Sequence, residues 1–423
     1  MKKELFENAI GESYTKAVLD SGLQIFILEK PKYNSAYAIF GTKYGSIDTC
    51  FSVNGEQTTV PEGIAHFLEH KLFESEDGDA FTKYAKTGAY ANAFTSFDRT
   101  CYLFSCTDKF YENLDILLSF VQSPYFTEQT VQKEQGIIGQ EIRMYDDSPA
   151  WRVMFNMLGA MYHNHPVRID IAGTTDSIAK IDHGLLYKCY NTFYNPANMF
   201  ICIAGNIETD KVLKQISENI HTSVPIEITR INEQEPDCVV EPYVEQKLAV
   251  AQPMFCLGFK ESTEKPLRSV KEKICTALLT EILAGDTSPL YKQLTNDGLI
   301  NDEFSSEYFN GYGYSAVIFE GESNDPVKVA DAIKAEIERL KTDGIDKKLF
   351  SAVRCGMYGN AIRLFNSVEN IAMQLVDCAM FGNDLFDEIK YLKSVTVEDV
   401  YRRLLQLSAD KSVLSVINPL EDE

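Results

Sequence analysis

Glu62-Gly-Ile-Ala-His66-Phe-Leu-Glu69-His70-Lys-Leu-Phe73 is the most informative stretch of this 423-residue chain. Ile64, Phe67, Leu68 and Leu72 recur at helical spacing and predict a helix with one apolar face. At about 100° per residue, positions 66, 69 and 70 fall at roughly 0°, 300° and 40°, within one arc on the other face. His66, Glu69 and His70 can therefore meet at one point. Two imidazoles at i and i+4 have the spacing that lets both nitrogens reach one Zn²⁺ at about 2.0–2.1 Å, with the intervening glutamate beside the metal rather than on it.

The order His-x-x-Glu-His is that of the inverted zincins. A catalytic zinc site needs a third protein ligand and an open position for water. The helix expected at 128–145 offers two carboxylates, Glu134 and Glu141, seven residues apart and so on one face. One could ligate while the other orients a ligand histidine through a hydrogen bond. His163 and His165, in Tyr-His-Asn-His-Pro166, form a rival pair. An H-x-H pair ligates best from a strand, however, and these two precede a proline in what reads as a loop. His183 and His221 have no companions. Neither a phosphate-binding glycine loop with a Lys-Ser/Thr tail nor a G-x-S-x-G elbow is present, which leaves nucleotide hydrolysis and serine-esterase chemistry without their parts.

Working outward from the motif, strands are expected at 23–29 and 36–51, helices at 63–73 and 79–86, and strands at 89–95 and 100–106. Helices at 109–122, 128–145, 149–162 and 184–194 follow, and an apolar strand at 198–204 closes the series. After residue 246 the order repeats: strand 247–258, helices 269–283 and 289–295, strands 302–309 and 314–320, helices 326–342, 347–364, 368–380 and 396–407, and strand 412–417. The segment 224–246, punctuated by Pro225, Pro236 and Pro242, reads as a linker with neither periodicity. The expected fold is α+β, with two homologous repeats that each pack helices on a mostly antiparallel sheet. Residues 1–223 form the zinc-binding repeat and 247–423 the repeat without a metal motif.

Forty Lys and Arg against 62 Asp and Glu give a net charge of −22. Such a surface repels phosphate backbones and anionic lipid, so neither nucleic acid nor a membrane is an expected partner. Ten scattered cysteines without a C-x-x-C pair read as thiols of a reducing compartment. The amino-terminal residues lack an apolar signal core, and no apolar run reaches the roughly 18 residues of a membrane span. The expected location is the cytoplasm.

EGIAHFLEHKLF, GAYANAFTS (88–96) and EQGIIGQEI (134–142) together resemble the pitrilysin/insulinase family of zinc metallopeptidases. The similarity runs through the first half and more weakly through the second. It implies a zinc endopeptidase acting on peptides, with His66, His70 and Glu141 as ligands, Glu69 as catalytic base and Glu134 in support. Asn92, Ala93 and Phe94 are implied to lie on a sheet edge that pairs with substrate backbone. Chains of this length resemble half of a clamshell, so a second homologous subunit is implied. Many family members carry an arginine and a tyrosine in the second half that line the chamber; the corresponding stretch, 290–301, has neither at the expected places. That departure favours a hetero-dimer with a partner carrying the pair over a homodimer. It also admits an alternative, in which the chain is a recognition or processing subunit inactive alone.

Overall fold

The computed structural model describes residues 1–8, 10–76, 78–263 and 265–420. It resolves into two units. The first comprises Met1–Ile142, Asp170–Ile231 and Arg363–Phe386; the second comprises Arg143–Ile169, Asn232–Ile362 and the residues from Asp387 onward.

The first unit is built on a seven-stranded sheet in the order Lys2–Glu7, Ser13–Val18, Gln24–Glu29, Met199–Gly205, Ala36–Thr42, Thr100–Cys106, Tyr90–Thr95. Neighbours run antiparallel except Gln24–Glu29 with Met199–Gly205. The continuous apolar run of Met199–Gly205 is that of a central strand covered on both faces, and every residue in it is buried. The second unit holds a five-stranded sheet in the order Tyr243–Leu248, Ser412–Pro419, Met254–Lys260, Tyr314–Glu322, Ser305–Gly311. Only its first pair is parallel. Five consecutive strands of the first sheet, from Gln24–Glu29 to Tyr90–Thr95, have the same order and polarity. The α+β class and the repeat of topology thus hold.

The units are not contiguous in sequence. Helix Val368–Phe381, from the second half of the chain, packs on Met199–Gly205 and Ala36–Thr42 with Ile371, Ala372, Leu375 and Val376 buried. Helix Pro149–Met161, from the first half, packs on Met254–Lys260 and Ser412–Pro419. Both follow their hairpin as the third helix of their repeat, so the exchange is reciprocal. The units therefore differ from the contiguous halves 1–223 and 247–423 by these two segments. Amphipathic spacing tells that a helix covers a sheet without telling which one.

Other differences are local. The expected linker contributes strand Ile228–Arg230, paired with Cys50–Val53 in a three-stranded sheet, and most of strand Tyr243–Leu248. The strand expected at 247–258 is two strands, Tyr243–Leu248 and Met254–Lys260, and that at 36–51 ends at Thr42. The hairpin Lys2–Glu7/Ser13–Val18 and the helices Thr209–Asn219 and Asp387–Ser394 are not among the expected elements. Among the described residues no helix is long and apolar enough to cross a membrane.

Candidate metal centre

The motif helix spans Ile64–Leu72 in the first unit. It buries Ile64, Phe67, Leu68 and Leu72, as the spacing requires. Its start is fixed by Gly63, which has φ 85° in the left-handed region; a Cβ there would lie 2.3 Å from the Ala172 carbonyl oxygen. Only glycine meets both demands without strain. Ser177 Oγ donates to the Glu62 carbonyl at 2.9 Å and pins the same corner.

The opposite face presents the three expected residues, and helix Glu128–Asp146 brings two carboxylates to them. His66 Nε2 lies 3.6 Å from Glu141 Oε1 and His70 Nε2 lies 3.3 Å from Glu141 Oε2. One ligand atom from each of His66, His70 and Glu141 fits within 4.8 Å of the others, and this is the one such His/Cys/Asp/Glu group among the described residues. Two ligands on a tetrahedral centre at about 2.0–2.1 Å stand about 3.3 Å apart, so the spacing suits a small tetrahedral cation. His66 Nδ1 is buried without a hydrogen-bond partner among the described groups, which leaves Nε2 as the ring atom aimed at the cluster. The donor set of two imidazoles and one carboxylate is one that zinc accepts.

Glu134 stands behind His70: its Oε1 is 3.0 Å from His70 Nδ1, and the residue is 6% exposed. Protein groups alone drive the two imidazoles apart. Burial, helped by the neighbouring His70, holds His66 down at about 4, so its ring is neutral with a free lone pair. Burial also pulls on His70, but the hydrogen bonds with Glu134 and Glu141 outweigh it and lift that ring to about 10. Burial would raise the Glu134 carboxyl, yet its bond to His70 leaves it below the ordinary carboxylate range.

Glu69, between the histidines, does not join the cluster of three. Burial pushes its carboxyl above the usual range, and a hydrogen bond from Thr95 Oγ1 to Oε2 at 2.6 Å draws it part of the way back. Sequence reasoning missed Thr95, although it lies within the very segment, ANAFTS, singled out there. Alternation along the strand sets residues 91, 93 and 95 on one face and Asn92 and Phe94 on the other.

Asn92, Ala93 and Phe94 lie on Tyr90–Thr95, the last strand of the seven-stranded sheet, hydrogen-bonded on one side to Thr100–Cys106. The Ala93 N–H is directed to its neighbour's side chain, donating to Asn92 Oδ1 at 2.9 Å. His163 and His165 are engaged elsewhere, in the second unit. His165 Nε2 pairs with the Tyr312 carbonyl at 3.1 Å while Nδ1 accepts from Val167 N, and His163 Nε2 is 3.6 Å from Cys238 Sγ. Among the described residues the rival pair forms no metal cluster.

Comparison with known proteins connects this geometry to a family. The chain is 40% identical over 428 residues to the uncharacterized zinc protease YmfH of Bacillus subtilis, covering 99% of this chain and all of that one. The chain belongs to peptidase family M16. Residues 56–175 match the family profile described as insulinase (peptidase family M16), and residues 180–356 match the M16 inactive domain. Among solved structures, an M16-like peptidase from Alicyclobacillus acidocaldarius superposes with a TM-score of 0.93 at 32% identity, over 98% of this chain and 100% of that one. Pitrilysin superposes with a TM-score of 0.76 at 15% identity over 99% of this chain, which spans 47% of pitrilysin. That likeness is one of fold. Within M16, the motif helix and the Glu134/Glu141 helix both fall in the first of the two matched regions.

Proposed function

We propose that the chain is a zinc-dependent endopeptidase acting on peptides or unfolded segments. The observation that carries this reading is the convergence of His66, His70 and Glu141 at the spacing of one tetrahedral cation, with Glu69 on the same helix face. The names of the relatives, zinc proteases, support the choice of metal and chemistry. His66 Nε2, His70 Nε2 and a Glu141 oxygen are the atoms that would hold Zn²⁺. Bound zinc supplies a Lewis acid that polarises a scissile carbonyl and lowers the pKa of water towards 7. Glu134 accepts the His70 Nδ1 proton and so fixes the ring with Nε2 towards the centre. Glu69 is the general base: it takes the proton of the attacking water and returns it to the leaving amine. The strand Tyr90–Thr95 pairs through Asn92, Ala93 and Phe94 with an extended substrate, whose backbone contacts demand little of its sequence.

The working unit of this cytoplasmic enzyme is a pair with a homologous chain, a hetero-dimer rather than a homodimer. Supporting this, stretch 290–301 has neither the arginine nor the tyrosine of many relatives at the expected places, and the chain matches about half of pitrilysin. The test is zinc content and peptide hydrolysis of the purified chain, alone and with homologues from the same cell. One zinc per chain and cleavage that Glu69→Gln abolishes are expected. Full activity in a strictly monomeric preparation would remove the partner from the reading, and a chain that binds no zinc would remove the enzyme.

A further inference from the structure

The hydroxyl of Thr95 is the described side-chain donor on Glu69, and the segment that carries it is held by backbone and side-chain contacts. The tight turn after the edge strand closes with Ser96 N donating to the Arg99 carbonyl at 2.8 Å. Its backbone is stitched to the loop before it in space, where Ser46 N donates to the Ser96 carbonyl at 3.1 Å and Ile47 N to the Phe97 carbonyl at 3.0 Å. Gly45 makes that approach possible, since a Cβ would stand 2.4 Å from the Phe97 carbonyl group. Arg99 then braces the turn from the other side. Its Nε donates to Asp98 Oδ1 at 2.8 Å and its Nη1 to Asp377 Oδ1 at 2.6 Å, and its guanidinium lies 5.5 Å from the Phe381 ring centroid. Asp377 and Phe381 belong to the exchanged helix Val368–Phe381 of the same unit.

We propose that Thr95 is a positioning residue for Glu69: its hydroxyl fixes Oε2, so that Oε1 is the oxygen left to take a proton, and the Arg99–Asp377 brace holds the turn from which Thr95 does this. The inference rests on the reading of Glu69 as general base. A glutamate has three side-chain torsions, and a base that must meet a water within hydrogen-bond reach loses rate when it samples others. A hydrogen bond to a carboxylate is strong enough to select one orientation. Thr95 touches neither of the histidines nor Glu141 in the described hydrogen bonds; besides Glu69 its hydroxyl meets only that of Thr100, at 3.4 Å, among them, so its effect on the candidate centre is routed through Glu69.

The test separates the hydroxyl from the shape that carries it. Thr95→Val keeps the branched Cβ and the strand preference but loses the donor; Thr95→Ser keeps the donor and loses the methyl. With unchanged zinc content, Thr95→Val should lower kcat by about tenfold or more with little change in KM, and Thr95→Ser should restore most of it. Crystal structures of the two variants give a readout independent of turnover: the Glu69 carboxylate should stay on the residue-95 hydroxyl in Thr95→Ser and leave that position in Thr95→Val. An unmoved Glu69 in Thr95→Val, or a kcat equal to wild type, overturns the proposal. The underlying reading fails separately, when wild type and Glu69→Gln hydrolyse peptide equally slowly; the crystallographic comparison then still decides whether Thr95 positions the side chain.

Discussion

Replacing Glu134 by glutamine removes one charge behind the candidate metal centre and little else. The amide side chain keeps the size and an acceptor oxygen for His70 Nδ1, which lies 3.0 Å from the native carboxylate. What is lost is the carboxylate, and at 6% exposure water screens it poorly. A hydrogen bond to a charged partner is worth about 1.5–3 kcal/mol and one between neutral groups about 0.5–1.5, so the difference is about 1–1.5 kcal/mol, close to tenfold in zinc affinity. That agrees with the roughly 10–100-fold cost of losing a partner of a metal-bound histidine. The same carboxylate also favours the proton that competes for His70, which it helps to raise to about 10. That competitor leaves only as pH rises through about 10, so the weakening should be smaller at pH 7 and grow as pH is raised towards that value. Competition with a fluorescent zinc chelator measures both. A weakening that shrinks as pH rises, or a loss matching that of Glu141→Gln, would refute the division of labour between the two glutamates.

His70→Ala should lose most bound zinc on dialysis, because the two remaining ligands no longer define a tetrahedron; metal analysis showing full occupancy would reassign the ligands. Glu69→Gln should keep zinc and melting temperature while hydrolysis falls by about 10²–10⁴-fold, as read by cleavage of a quenched fluorescent peptide. Gly63→Ala should destabilise the first unit by about 2–4 kcal/mol, from a left-handed φ and a Cβ too close to Ala172, and an unshifted denaturant midpoint would count against that account of the helix start. In the second unit, burial works against the Glu272 carboxylate, but Lys265 and the amide and hydroxyl of Ser269 hold it at about 2 against an ordinary 4.5. A depressed carboxyl stabilises the folded state above its unfolded pKa and loses this as pH falls. The stability gap between wild type and Glu272→Gln should therefore be full above about pH 5 and close between about 4.5 and 2, and a gap independent of pH would assign it to the cap geometry alone.

The centre was legible in the sequence because it lies on two helices with strict periodicity. Once Ile64, Phe67, Leu68 and Leu72 are assigned to the core, the direction of His66 and His70 follows, and the seven-residue spacing of Glu134 and Glu141 aligns them likewise. Periodicity alone did not tell ligand from supporting glutamate, since both share a face; resemblance chose Glu141, whose carboxylate lies 3.6 Å from His66 Nε2 and 3.3 Å from His70 Nε2. Thr95 was illegible for a different reason: its role depends on a contact across 26 positions, from a residue that reads as an ordinary strand threonine. Lys2–Glu7 escaped notice because five of its six residues are exposed, so no apolar alternation marks it. Sheet membership is a further gap, since the linker strands Ile228–Arg230 and Tyr243–Leu248 take their structure from partners far away in sequence.

The exchanged helix sets a timetable for biosynthesis. The strands and motif helices of the first unit are all synthesised by Ile231, but the segment that covers its central strands begins at Arg363, 132 residues later. At about 5–20 residues per second, the ribosome takes on the order of 10 s to add that stretch. During this interval Met199–Gly205 and Ala36–Thr42 lack the helix that buries one of their faces, and Arg99 lacks Asp377. A nascent chain halted before Val368 carries every proposed ligand of the centre and still cannot finish the unit that holds them. A product that stops short of this helix therefore leaves bare an apolar sheet face that the full chain covers.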